Sequence, residues 1–276
     1  MKDTKNKKVI SIILSASIIA FSVWVYWGNT SIQTTQINIS SKKIPSSFDG
    51  FTIVHISDLH NAEFGNNQSR LLNAVKNASP DLIAITGDLI DSRRTDVAKV
   101  MEFISGAVKI APIYYVTGNH ESRTSEYAKL KEQMTKAGVV ILNDEGTKIK
   151  RGKASIHLLG LNDPDFTETD DAYESAAMIN AKLKDMLSVS NEYTILLSHR
   201  PELFDVYAAN NIDLVLSGHA HGGQFRLPFI GGLVAPNQGL FPKYSEGVYE
   251  KNQTKMIVSR GLGNSIIPVR INNRPE

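Results

Sequence analysis

Five apolar runs in this 276-residue chain are each followed at once by residues able to hold a cation. Phe51–Ile56 runs into Ser57-Asp58-Leu59-His60, and Leu82–Thr86 into Gly87-Asp88-Leu89-Ile90-Asp91. Ile113–Thr117 runs into Gly118-Asn119-His120-Glu121, Tyr193–Ser198 into His199, and Ile212–Leu216, through Ser217, into Gly218-His219-Ala220-His221. The chain has seven histidines, and most of them stand in this set. Aspartate offers hard anionic oxygen, asparagine a neutral oxygen and histidine a borderline nitrogen. That mixture suits Mn²⁺, Fe or Zn²⁺ better than Ca²⁺. With no cysteine in the chain, thiolate sites and disulfides are excluded. Asp58, His60, Asp88, Asn119, His199, His219 and His221 are too many ligands for one ion with an open position. They are about right for two ions sharing a carboxylate, the arrangement that activates water and clamps a phosphoryl group. Each stretch alone is weak, because Asp after a strand is often a cap and Gly-Asn-His-Glu can be only a turn. The weight lies in their repeated position.

The elements that must carry these residues alternate. Strands are expected at Phe51–Ile56, Leu82–Thr86, Ile113–Thr117, Tyr193–Ser198 and Ile212–Leu216. Helices are expected at Ser69–Asn77, Asp96–Val108 (capped by Asp96), Ser125–Ala137, Asp171–Leu187 and Pro201–Ala209, from apolar residues at i, i+3 and i+4. Val139–Leu142, Thr147–Lys150 and Ala154–Leu161 read as short antiparallel strands, and Gly247–Glu250, Lys255–Ser259 and Ile266–Ile271 as later ones. The pattern predicts a layered α/β fold. In such sheets ligands bind beyond the carboxyl ends of the strands, where the five stretches fall.

Val9–Trp27 carries no charge. As a helix it spans roughly 28 Å, close to the ~30 Å of a bilayer core. Lysines precede it, and Trp24, Tyr26 and Trp27 close it. The expectation is an uncleaved single-pass anchor with the N-terminus cytoplasmic and the rest outside. The alternative is a cleaved signal peptide, but the run is long for one and no small-x-small site follows Trp27. Residues 28–49 are polar and read as a linker, and 50–276 as the catalytic domain. Residues 1–27 hold four lysines and one aspartate, +3 of the chain's net +2, which leaves the remainder at −1. A nearly neutral body gives no reason to expect nucleic acid as a partner.

The order D-x-H, G-D-x-x-D, G-N-H-E, H and G-H-x-H resembles that of the calcineurin-like metallophosphoesterases, from about Phe51 to the C-terminus. Ser198–Pro201 (SHRP), Gly218–Gln224 (GHAHGGQ) and Ser259–Gly263 (SRGLG) are similar to stretches of the bacterial membrane-anchored branch. The resemblance implies a four-layer αββα sandwich of two mixed β-sheets; members of the family usually carry a further strand after the position of Arg274-Pro275-Glu276, where this sequence stops. It implies that Asp58, His60, Asp88 and His221 hold one divalent ion and Asp88, Asn119, His199 and His219 the other, with Asp88 bridging. Mn²⁺ is the first expectation, with Zn²⁺ and Fe behind it. His120 is the implied catalytic residue beside the leaving group. The implied reaction is attack on phosphorus by a hydroxide held between the ions, with His120 as general acid or electrostatic partner.

Other polar residues carry less. His55 and His157 lie inside strands and read as structural. Asp91 reads as a cap or supporting residue, and Glu121 as orienting its neighbours. Arg200, Arg226 and Asn61 are possible phosphate contacts. Ser57 and Ser198 lack the G-x-S-x-G context of a nucleophile. Substrates fall into two groups: phosphorylated lipids or envelope intermediates beside the anchor, or soluble nucleotides and phosphoproteins. A non-catalytic metal-binding scaffold is the third reading, disfavoured because no ligand position is lost.

Overall fold

Short apolar runs without a polar face form strands when both sides are buried, and that sets the centre of this molecule. The computed structural model describes residues 2–167, 171–187, 192–264 and 266–276. A long helix, α1 (Lys2–Thr30), is followed by β1 (Ile53–Ile56), α2 (Ser69–Asn77), β2 (Leu82–Thr86), α3 (Val97–Ala107), β3 (Ile113–Val116), α4 (Asn119–Ser122) and α5 (Tyr127–Lys136). Then come β4 (Val140–Ile141), β5 (Glu145–Arg151), β6 (Ala154–Gly160), α6 (Ala172–Leu187), β7 (Thr194–Leu197), α7 (Phe204–Ala209) and β8 (Leu214–Ser217). Two hairpins of two-residue strands follow, β9 (Arg226–Leu227) with β10 (Gly231–Gly232) and β11 (Val234–Ala235) with β12 (Gly239–Leu240). The last strands are β13 (Gly247–Lys251) and β14 (Thr254–Val258).

The first sheet has the order β1-β2-β3-β4 and the second β13-β14-β8-β7-β6-β5. Strand alternation sorts the side chains. Leu82 and Ala84 of β2 meet Ile156, Leu158, Ile195, Leu197, Leu214 and Leu216 in a core between the sheets. Ile83 and Ile85 face α2, α3 and α5 with Leu71, Val100 and Ile104. Leu159, Leu196 and Val215 face α6 and α7 with Ile179, Leu183 and Tyr207. The layers are therefore helix, sheet, sheet, helix. The first sheet is wholly parallel rather than mixed. The second is mixed, with antiparallel β13 and β5 at its edges.

Two expected strands come out differently. Val139–Leu142 is not part of an antiparallel meander. β4 pairs parallel with β3 in the first sheet, because Gly138 at φ 95° ends α5 and returns the chain to that sheet. Ile266–Ile271 forms no strand apart from a Phe225–Ile271 bridge. The Gln224 amide takes the carbonyls of Ile267 and Val269 (2.9 and 2.7 Å), and Pro268 has no N–H for a ladder.

Asn6–Thr30 within α1 is long and apolar enough to cross a membrane, with mean hydropathy 2.2, and it is not buried against the body. The helix runs one turn past Trp27. The residues read as a linker lie partly along the body: Gln33 N donates to Pro275 O at 2.7 Å, Lys43 pairs with Asp213 at 2.8 Å, and Phe48 enters the core between the sheets with Ile39 and Ile44 against it. Those apolar side chains, spaced through a polar stretch, have a sheet surface to cover.

Candidate metal centre

The carboxyl ends of β1, β2, β3, β7 and β8 deliver their polar residues to one buried edge. Asp58, His60, Asp88, Asn119, His120, His199, His219 and His221 are all buried there. The strand-end turns are tight. Asp58, His60, Asp88, His219 and His221 all have positive φ, between 47° and 66°. A left-handed non-glycine residue costs about 1–2 kcal/mol, so the fold holds these side chains in place against local backbone preference. Glycine is needed where the turns meet: a Cβ at Gly218 would lie 1.8 Å from Ser57 Oγ, and one at Gly118 2.3 Å from Asp88 Oδ1.

The donor atoms fall into sets. Those of Asp58, His60 and His221 lie within 4.8 Å of one another, as do those of Asp88, His199 and His219, and those of His60, Asp88 and His120. In the first set His60 Nε2 faces His221 Nε2 at 3.2 Å, and His221 Nε2 is 3.5 Å from Asp58 Oδ1. In the second, His199 Nε2 lies 3.1 Å from His219 Nδ1, 3.2 Å from Asn119 Oδ1 and 3.2 Å from Asp88 Oδ2. Asp88 Oδ2 also stands 3.5 Å from His60 Nε2, so one carboxylate oxygen faces both sets. Ligands about 2.1 Å from a common ion stand roughly 3–3.5 Å apart, so these spacings fit divalent cations.

The supporting contacts fix which nitrogen faces inward. His199 Nδ1 donates to Thr86 O at 2.7 Å, which turns Nε2 toward Asp88 and leaves it the nitrogen that can ligate once its proton is lost. His219 Nε2 donates to Asn237 Oδ1 at 2.9 Å, which turns Nδ1 inward. Asp58 accepts from His219 N at 3.1 Å, and Asp88 Oδ1 from His120 N at 2.8 Å. The Glu121 carboxylate gathers the amides of Gly118, Asp88 and Leu89 (2.7, 2.8 and 2.9 Å). Burial, with the Asp88 charge beside it, raises Glu121 to about 7. His60 and His221 are the exceptions. His60 Nδ1 meets no hydrogen-bond partner among the described residues. Arg270 Nη2 lies 3.3 Å from His221 Nδ1 and a guanidinium only donates, so ligation through His221 Nε2 needs Arg270 to move off Nδ1.

Burial alone raises the Asp88 carboxyl, but the histidines around it, His199 foremost, hold it well below the usual range. The reciprocal effect overcomes burial at His199 and raises it to about 10. Burial keeps His60, His219 and His221 low, hence neutral. The sign for stability follows. The pair stabilises the fold fully between about pH 4 and 6.5, and its contribution fades as pH rises to about 10. For metal, the proton on His199 is the competitor. Binding at neutral pH should expel about one proton, and affinity should rise with pH up to about 10. Titration calorimetry in buffers of different ionisation enthalpy measures this directly; an enthalpy independent of buffer would contradict it.

The side chains read as phosphate contacts serve elsewhere, while His55 keeps its structural role and Asp91 its supporting one. Arg200 is no phosphate contact: it is buried against Asp163 (2.5 and 2.6 Å) and Asp165 (2.6 Å) and also binds Asn237 at 3.0 Å. Arg226 pairs with Glu246 and binds Gly222 O. Asn61 donates to Arg94 O. Asp91 caps no helix; it lies 3.7 Å from His120 Nδ1 and binds Arg93 N. His55 is held in β1 by Thr86 Oγ1 at 2.8 Å, with burial lowering it to about 4. Ser92, Asp163, Asn237 and Arg270 were missed. Asp163 follows β6 as the other acids follow their strands, and that rule could have found it; nothing in Pro236-Asn237-Gln238 marks Asn237. Because Asn237 orients both His219 and Arg200, Asn237→Ala should weaken metal binding or turnover about 10–100-fold. Asn237→Asp, which keeps the acceptor, should recover most of it in a Mn²⁺ titration.

A four-layer α/β sandwich that closes carboxylates and imidazoles over the strand ends of both sheets has the build of a metal-dependent hydrolase. Residues 51–223 match the family model described as calcineurin-like phosphoesterase, and the chain belongs to that family. It is 32% identical over 260 residues to the metallophosphoesterase YkuE of Bacillus subtilis, covering 89% of this chain and 83% of that one. It is 27% identical over 232 residues to the phosphodiesterase YaeI of Escherichia coli, covering 82% and 80%. The crystal structure of TT1561 of Thermus thermophilus shares the fold, with a TM-score of 0.53 over 77% of this chain and 90% of that one at 14% identity. The chain is thus a phosphoesterase, a hydrolase with candidate metal-binding residues at its strand ends.

Proposed function

We propose that the chain is a two-metal phosphoesterase anchored in a membrane by α1, cleaving phosphodiester, pyrophosphate or phosphomonoester bonds, with lipid head groups or envelope intermediates as substrates. The observation that carries this is Asp88 Oδ2, at 3.2 Å from His199 Nε2 and 3.5 Å from His60 Nε2. Asp58, His60, Asp88 and His221 hold one divalent ion, and Asp88, Asn119, His199 and His219 the other. Mn²⁺ is the first choice, with Zn²⁺ or Fe as alternatives. Such ions supply Lewis acidity, acidifying water and neutralising phosphate oxygens.

The side chains do the rest. Asn119 contributes a donor oxygen without adding an anion opposite the phosphate. His120 accepts the Ser92 amide at Nδ1 (3.0 Å), so the neutral ring carries its hydrogen on Nε2. That N–H can hydrogen-bond a departing oxygen and stabilise its developing charge; passing a full proton to it would require the doubly protonated ring. Residues 50–276 form the catalytic body, and 28–49 join it to the anchor. The lysines before the apolar run support an orientation with the N-terminus in the cytoplasm and the body outside.

Purified protein loaded with Mn²⁺, Zn²⁺ or Fe and screened against monoesters, diesters and pyrophosphates of lipids, nucleotides and phosphopeptides tests this reading. Turnover of the lipid class supports it, and preference for nucleotides or phosphopeptides removes the lipid assignment. Protease added to intact cells should degrade the body; protection would reverse the orientation.

A further inference from the structure

Outside α1, ten large hydrophobic side chains are exposed among the described residues, and six of them stand on three loops next to the site histidines. They are Leu227, Phe229 and Ile230 of the β9–β10 hairpin, Leu240 and Phe241 at the end of the β11–β12 hairpin, and Ile266. Phe229 is fully exposed and Leu240 is 69% exposed. Side chains of that size are not left in water on neighbouring loops without a partner.

The three loops are one rim. Leu233 N donates to Gly223 O and Phe225 O, and Phe241 N to Leu233 O. Gln224 ties in the third loop through Ile267 O and Val269 O. Gly223 is two residues past His221, and Asn237, between β11 and β12, binds His219. The rim therefore borders the candidate metal centre.

The same rim joins the end of the membrane helix. Asn29 of α1 accepts from Arg270 N at 2.7 Å and donates to Arg270 O at 2.9 Å. The next residue, Ile271, takes Arg226 N at 3.0 Å at the root of the first hairpin. Arg274 lies over the Trp27 ring at 4.6 Å, and Trp24, Trp27, Arg260, Arg270 and Arg274 line a cavity of about 130 Å³. The aromatic end of α1, the part of a membrane helix that sits at the bilayer surface, is thus beside the body at the root of the rim. Phe229 is four residues from Phe225, roughly 13 Å of extended chain.

Charge is compatible. Residues 224–244 and 261–275 contain no acid. Arg226 is paired with Glu246 and Arg270 is buried, which leaves Lys243 exposed and Arg274 half-buried on this side. Exposed aromatic and aliphatic side chains free of acidic neighbours suit the headgroup–acyl boundary of a bilayer.

We propose that this rim is a second membrane contact. Phe229, Ile230, Leu240, Phe241 and Ile266 dip into the bilayer that α1 crosses, and the site opens on the lipid surface. Phosphate esters carried by lipids in that surface are then its substrates. The assignment of substrate rests on the phosphoesterase and anchor reading above; the contact itself does not need turnover to be seen.

The absence of cysteine makes a direct test possible. Phe229→Cys, Phe241→Cys and, as control on the β5–β6 turn, Lys153→Cys are labelled with an environment-sensitive fluorophore in the full chain. Each is reconstituted into phosphatidylglycerol–phosphatidylethanolamine vesicles carrying nitroxide lipids. Labels at 229 and 241 should be blue-shifted and quenched relative to 153; three equal signals overturn the contact. In a second arm, Phe229→Ser with Phe241→Ser should lower hydrolysis of a vesicle lipid phosphate ester at least about fivefold, with a soluble p-nitrophenyl ester held within about twofold. An equal change on both substrates overturns the lipid assignment. If the parent protein cleaves neither, the phosphoesterase reading fails, and quenching at 229 and 241 still establishes the contact.

Discussion

Asp88→Asn is expected to abolish turnover, with kcat/KM for an aryl phosphodiester falling at least ~10³-fold and bound metal dropping below two ions per chain. The substitution keeps the shape and keeps Oδ1, which accepts from His120 N. It removes the charge at the one oxygen that faces both His199 and His60. Without that charge burial dominates at His199, whose pKa falls from about 10 toward the value of an isolated buried imidazole. The proton released on metal binding should therefore disappear with the same substitution. Metal content, rate and proton release are three readings of one oxygen. A variant that kept two ions and a rate within about tenfold of the parent would remove Asp88 from the bridging position.

His120→Ala should separate acid catalysis from metal binding. Its donor set with His60 and Asp88 is compact, yet its Nδ1 is already engaged by the Ser92 amide and hydroxyl. As the N–H donor to the leaving group, it should cost about 10²–10⁴-fold with a poor alkoxide leaving group. With p-nitrophenolate, which departs unprotonated, the loss should be far smaller. Metal content should not change. An equal loss on both esters, or loss of an ion, would make His120 a ligand or a structural residue instead.

Much of the fold was readable because burial and period agree. Ser69–Asn77 and Leu82–Thr86 fall where their patterns place them, and Asp96 caps α3 through Lys99 N. β4 was misread because two apolar residues carry no signal for the sheet they will join. Ile266–Ile271 was misread because an apolar run resembles a strand even when a side chain, that of Gln224, takes its carbonyls. The residues of the site were legible for a related reason. The chain must place each metal-capable side chain directly after a buried strand, so order along the sequence reports position in space. Arg200 shows the limit. Beside a histidine at a strand end it can be read either as a phosphate contact or as an ordinary arginine, and only the fold reveals Asp163 and Asp165 waiting for it.

By itself the sequence determined the apolar helix, the strand–helix alternation and the donors at five strand ends, all of which follow from local composition and spacing. Tertiary structure alone decided which donors face one another, because strands of two different sheets bring Asp88 to His199 and Asp58 to His221 across more than a hundred residues. It also decided the partners that set each imidazole's inward nitrogen, Thr86 O for His199 and Asn237 for His219. The docking of Asn29 on Arg270 and the gathering of three apolar loops into one rim belong to the same category. Hydrogen bonds and electrostatic pairing act over a few ångströms of space, and separation along the chain does not fix that distance.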